Sequence, residues 1–180
     1  MKKQMHRLLS LMLSLILVVG LIPGSLMTAH AAGTDYTWDS GTKTLTIHTN
    51  AGLTDWTSDA TFTKNDIVKL VVDATVTDAV GSGTASFEEA ALLETVEFKG
   101  AVTVAVNAFY NCERLLTVSF AGTSNICISA FDNCYMLKTV TFGGATQIGF
   151  DAFSYAGDHQ TDGMDKIVIP TGFVGALIRL

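Results

Sequence analysis

Few side chains in this chain are of a type that does chemistry, and their spacing decides what each is for. Three cysteines, Cys112, Cys127 and Cys134, supply all the thiols. Of the four histidines, His6 and His30 fall in the first 31 residues, and His48 and His159 stand far apart. A Cys/His metal centre needs ligands at short fixed spacings, which are not found here. The run Asp158-His159-Gln160-Thr161-Asp162-Gly163-Met164-Asp165 gathers three carboxylates and a glycine. It lacks the ligand order and closing Glu of a calcium loop. It reads as a solvated insertion, with Asp158, His159 and Asp162 as candidate contact residues. The remaining acids are scattered and no nucleophile, base and orienting group share a motif. The expectation is no catalytic residue, no cofactor and no metal.

What positions these groups is a period. Phe87, Phe109, Phe131 and Phe153 are each 22 residues apart, and other columns keep the same interval. Leu93, Leu115 and Leu137 form one column; Val96, Val118 and Val140 a second; Phe98, Phe120 and Phe142 a third. Val104, Ile126 and Ile148 follow, then Val106, Ile128 and Phe150, then Ala108, Ala130 and Ala152. A fixed period of this length marks a stacked repeat whose coils bury their apolar sides on one another. Within a coil, Leu-x-x-Val-x-Phe ends in period-two alternation, a strand with one buried face. A Gly-containing turn follows, then a second alternating piece such as Val102-x-Val104-x-Val106 or Ile126-x-Ile128. The Ala-Phe-x-x-Cys piece closes the coil as a helical turn with Phe and Cys inward.

The pattern extends with wear. Residues 67–72 fit an earlier strand, with Gly81-Ser82-Gly83-Thr84 inserted before Phe87, and Ile167-Val168-Ile169 resumes the strand after the 157–163 insertion. That makes about five strands in register. Residues 33–62 fall outside the period. Tyr36-Thr37-Trp38, a turn at Asp39-Ser40-Gly41 and Thr44-Leu45-Thr46-Ile47 read as a β-hairpin, which with Trp56 would shield the first coil. Residues 1–31 are a different object: Lys2, Lys3 and Arg7, a mostly apolar run from Leu8 to Ile22, Pro23-Gly24, and a small-x-small exit at Ala29-His30-Ala31. That order is a secretory signal peptide.

All 17 acidic residues lie beyond residue 31, whereas three of the 11 basic ones lie before it, so cleavage leaves a charge of about −9. Such a balance excludes nucleic acid, which needs clustered Lys and Arg, and opposes docking on an anionic membrane. Beyond the leader no transmembrane segment is expected, because spanning needs about 20 apolar residues.

The columns assign roles. Cys112 and Cys134 share one column and belong on adjacent coils about 5 Å apart, where parallel Cβ directions are awkward for a disulfide. They are expected as buried free thiols, with Cys127 facing outward as the more reactive one. Outward on the strands run Lys69, Thr95, Thr117, Thr139 and Lys166, beside Val71, Glu97, Ser119, Thr141 and Val168. A Thr ladder serves β-propensity and cross-coil packing first, and a flat recognition face second. Ice binding, a third use of Thr rows, is interrupted by Glu97 and the flanking lysines. Five strands give such a face on the order of 400 Å², half the roughly 800 Å² per partner of a standard interface.

Ala108-Phe109-Tyr110-Asn111-Cys112-Glu113-Arg114-Leu115-Leu116-Thr117-Val118-Ser119-Phe120 and the stretch from Ala130 to Phe142 resemble the BspA-type leucine-rich repeats of bacterial surface proteins. The resemblance covers most of residues 35–170 and supplies no catalytic residue. It implies a mainly β solenoid: a stack of about five 22-residue coils with short helical turns over residues 63–180, the last coil uncapped, behind an N-terminal hairpin cap at 33–62. It also implies a secreted or cell-surface module that binds an extracellular protein or glycan. Two further readings stay open. The stop at Leu180, where the Phe column would return, suggests a structural piece of a longer array. A β-helical polysaccharide-active enzyme is the third, and it would need convergent acids that the Thr-rich strands do not offer.

Overall fold

A computed structural model describes residues 35–157 and 166–168 of the chain. The expected leader at 1–31, the candidate contact residues Asp158, His159 and Asp162, and residues from Ile169 onward lie outside the described residues.

Strands β1 (Tyr36–Asp39) and β2 (Thr44–Ile47) form an antiparallel hairpin. A one-turn helix, α1 (Gly52–Asp55), leads into β3 (Lys69–Val72) through 3-10 turns at Trp56–Ser58 and Lys64–Asp66. The next three coils each contribute one strand to each of two sheets, and β10 joins the larger. β4 (Thr95–Phe98), β6 (Thr117–Phe120), β8 (Thr139–Phe142) and β10 (Lys166–Val168) belong to the larger sheet. β5 (Val102–Val104), β7 (Ser124–Ile126) and β9 (Thr146–Ile148) make the smaller one. The orders are β1-β2-β3-β4-β6-β8-β10 and β5-β7-β9, parallel throughout except for β1.

The register follows the period. Val96 lies beside Val118 and Val118 beside Val140, and Phe98, Phe120 and Phe142 are aligned in the same way. The sheet also runs one strand further than the repeat in the sequence. β2 pairs parallel with β3, setting Leu45 beside Leu70 and Ile47 beside Val72, so the hairpin's second strand is itself a rung.

Two aromatic ladders fill the space between the sheets. Phe87, Phe109, Phe131 and Phe153 stack with centroids 5.4, 5.0 and 5.1 Å apart, and Phe98, Phe120 and Phe142 stack at 4.9 and 5.2 Å. The ladders meet edge to face, Phe120 on Phe131 at 6.2 Å and 88°. Each ring contributes about 1.5–3 kcal/mol by burial, with about 0.5–1.5 kcal/mol more from its aromatic pairing. At the N-terminal end Trp56 stacks on Phe87 at 5.1 Å, taking the Phe column's place, and Phe62 lies between Trp56 and Trp38.

The Ala-Phe-x-x-Cys pieces are tighter and more broken than a helical turn. Asn107 and Asn111 both have φ near +57°, as do their counterparts Ser129 (φ 51°) and Asn133 (φ 60°). These left-handed residues rotate alternate peptides along the stack. Asn107, Phe109 and Asn111 then donate their N–H groups to the carbonyls of Ile128, Ala130 and Asp132 in the next coil. A third ladder of hydrogen bonds therefore joins the coils where no strand does.

Candidate functional site

The outward columns of the larger sheet sit in the register that the period requires. Lys69, Thr95, Thr117, Thr139 and Lys166 form one row, and Glu97, Ser119 and Thr141 share the next with Val71 and Val168. Thr44 and Thr46 of β2 prolong both rows toward the hairpin. The side chains along these rows partly satisfy one another. Glu97 pairs with Lys69 at 2.6 Å and also with Lys99, while Thr117 Oγ1 donates to Thr95 Oγ1 at 3.3 Å. Hydrogen bonds from Lys69 first, then Lys99, hold the Glu97 carboxyl below its usual range. Such half-exposed pairs add at most about 1 kcal/mol, yet they fix the charges in a flat row. Between them, on β6 and β8, the rows carry the hydroxyls of Thr117, Ser119, Thr139 and Thr141.

A second outward face lies on the smaller sheet. Thr103, Asn125 and Gln147 are neighbours in register on β5, β7 and β9, facing solvent, while Val102, Ser124 and Thr146 point inward. Ser124 Oγ and Thr146 Oγ1 satisfy each other at 2.9 Å in the interior. An open groove of about 490 Å³ runs along this face and reaches Thr77. Its floor is close backbone: a Cβ on Gly122, beside the groove, would fall 2.7 Å from the carbonyl carbon of Gly100.

This face was legible in the period but obscured by the alternation. Val102-x-Val104-x-Val106 and Ile126-x-Ile128 read as single alternating pieces, yet β5 ends at Val104 and β7 at Ile126. The left-handed residues Asn107 and Ser129 begin the turn immediately afterwards. Val106, Ile128 and Phe150 are consequently turned out, 55%, 52% and 68% exposed, as an apolar rail two residues past the ends of β5, β7 and β9.

A third cluster joins the hairpin to β3. His48 Nδ1 lies 2.7 Å from Asp73 Oδ2, and its Nε2 lies 3.2 Å from Thr37 Oγ1. Hydroxyl, imidazole and carboxylate thus stand in the order of a nucleophilic triad. Acyl transfer also needs a cavity and donors aimed at an oxyanion. Neither the groove above nor a second one of about 470 Å³ near Trp56 and Lys64 is lined by Thr37, His48 or Asp73. The surrounding bonds are structural: His48 N and Thr49 N donate to Asp35 O, and Thr75 Oγ1 donates to His48 O. The cluster ties the hairpin down.

The thiols fall where their columns put them. Cys112 and Cys134 are free and fully buried, donating to the carbonyls of Phe87 and Phe109 at 3.1 and 3.2 Å. Burial pushes the Cys112 thiol up to about 12 and raises that of Cys134 well above the ordinary value. Cys127 is free and partly exposed. Among the described residues no cluster of three His, Cys, Asp or Glu side chains is placed to hold a metal ion, and no helix is long and apolar enough to cross a membrane.

Comparison with known proteins gives one match. The family model described as BspA type leucine rich repeat region matches residues 42–160 in 6 copies, beginning in the hairpin turn just before β2. No curated protein and no solved structure matches the chain.

Proposed function

Since the chain belongs to the BspA-type leucine rich repeat family, we propose that it is a secreted or cell-surface binding module that contacts an extracellular protein or glycan at modest affinity. One observation carries this reading. Outward side chains stand in register across β3, β4, β6 and β8, so Lys69, Thr95, Glu97, Thr117, Ser119, Thr139 and Thr141 make one continuous ordered surface, and the backbone register sets Lys166 of β10 next in the row. Side chains held by a sheet lose little entropy on binding, which favours recognition by a rigid face. The insertion that carries Asp158, His159 and Asp162 between Phe153 and Lys166 in the sequence is the second contact candidate. Export follows from the leader at 1–31, with its apolar run and Ala29-His30-Ala31 exit. No catalytic role is assigned, because repeat scaffolds of this kind do their work through their surfaces.

The face is small. Its area limits a single molecule to weak attachment, so adhesion would come from several copies acting together. The test is to immobilise the full chain and titrate soluble matrix proteins, mucin and oligosaccharides over it. Saturable binding that weakens when Thr117 and Thr141 are both replaced by Arg supports the reading. Binding to none of these probes contradicts it.

A further inference from the structure

The outer face of β5, β7 and β9 combines three features. Its groove, about 490 Å³, falls within the range of about 300–1,000 Å³ typical of small-ligand sites. None of the residues lining it is charged, although the chain carries 17 acidic and 11 basic residues. The Asn125 and Gln147 side chains, which line it on successive rungs, take part in no hydrogen bond among the described residues, in contrast to the self-paired Lys69, Glu97 and Thr95 opposite. Each carboxamide offers two donors and an acceptor in one plane. Three residues further along each coil stands the apolar rail of Val106, Ile128 and Phe150, which ends in the exposed aromatic ring.

We propose that this face is a binding groove for a neutral oligosaccharide, with Asn125 and Gln147 bridging sugar hydroxyls and Phe150 covering an apolar sugar face. The chemistry favours this occupant over others. An anionic glycan would find no cation in the groove and a basic peptide no carboxylate. A folded protein needs about 800 Å², whereas three strands of three residues span on the order of 150 Å². An added strand would pair along a sheet edge and leave the outward carboxamides of Asn125 and Gln147 unused. Two carboxamides, Asn125 and Gln147, stand on successive rungs after Thr103, with rungs about 4.8 Å apart, close to the rise of an extended hexose polymer. Ligand units would therefore lie along the stack, one per coil. The proposal rests on the binding-module reading but moves the glycan to the opposite face from the threonine rows.

An array carrying neutral gluco-, manno- and xylo-oligosaccharides beside sialylated and sulfated glycans, mucin and matrix proteins tests it with the full chain. Asn125, Gln147 and Phe150 are exposed, so their substitution leaves the core in place. The expected result is saturable binding of a neutral oligosaccharide, weakened at least about tenfold by Asn125→Ala with Gln147→Ala and again by Phe150→Ala. Glu113→Ala, an exposed change outside both faces, should leave that affinity unchanged. Absence of neutral-glycan binding, or binding that the groove variants keep, overturns the proposal. A protein ligand retained by the groove variants overturns it while the broader function stands, and silence toward every probe overturns both.

Discussion

Phe109 lies flat against Phe131, with ring centroids 5.0 Å apart and planes within 1° of parallel. Aromatic pairs left to themselves choose an offset or edge-to-face contact. Here the near-parallel arrangement recurs down the column because the rung spacing imposes it, and the second ladder supplies the edge contacts. Phe109 also meets Phe98 at 76° and is fully buried. Phe109→Ala should cost about 3–5 kcal/mol, measured by urea unfolding. Phe109→Leu should cost distinctly less.

Gly122 should not tolerate a side chain. Its Cβ would lie 2.7 Å from the backbone of both Gly100 and Ala101, and backbone cannot step aside as a side chain can. Gly122→Ala should destabilise by roughly 1–3 kcal/mol, seen as a lower melting temperature with an unchanged far-UV spectrum.

The left-handed column offers the reverse experiment. Glu89, Asn111, Asn133 and Tyr155 all have φ between 54° and 60°. Asparagine tolerates that region, whereas other side chains pay roughly 1–2 kcal/mol to enter it. Glu89→Asn and Tyr155→Asn should each raise stability by up to about 1 kcal/mol, and Asn111→Ala should lower it by a similar amount.

Asp132 should set part of the pH dependence. One of its oxygens, Oδ1, is buried without a hydrogen-bond partner, and desolvation first, then the charge of Asp151, raises its pKa. A carboxyl with a raised folded pKa supports folding fully below its unfolded value of about 3.9, and that support is lost as pH rises through the folded value. Asp132→Asn should therefore raise the melting temperature at pH 7, and the gain should fade as the pH falls toward 3. Thermal melts of both proteins across that range are the check.

Thiol chemistry should separate the cysteines. Cys112 and Cys134 are buried thiols held protonated, and Cys127 is partly exposed. Iodoacetamide at neutral pH should label Cys127 alone in the native protein and all three after denaturation, as read by peptide mass spectrometry.

Much of this was legible in the sequence. The 22-residue interval placed the Phe, Leu and Val columns inward, set Thr95, Thr117 and Thr139 side by side, and made Cys112 and Cys134 buried neighbours. Three features escaped. Trp56 takes the Phe position 31 residues before Phe87, an offset that hides it from any period. Glu89 and Tyr155 give no sign in their residue types of the left-handed backbone they adopt. The rail at Val106, Ile128 and Phe150 kept an alternation that the chain abandons, because the turn at Asn107 and its counterparts reverses which side faces out. The same reversal concealed the groove on the smaller sheet.

The central claim is recognition by a small rigid surface, and valency tests it most directly. Binding of the chain to a mucin- or matrix-coated sensor should be measured once as monomer and once as a tetramer on streptavidin. The account predicts saturable but weak monomer binding, with Kd above about 1 μM, tightened by about 10²–10⁴ on tetramer display. No saturable binding in either form, or nanomolar monomer binding that the tetramer does not improve, would contradict it.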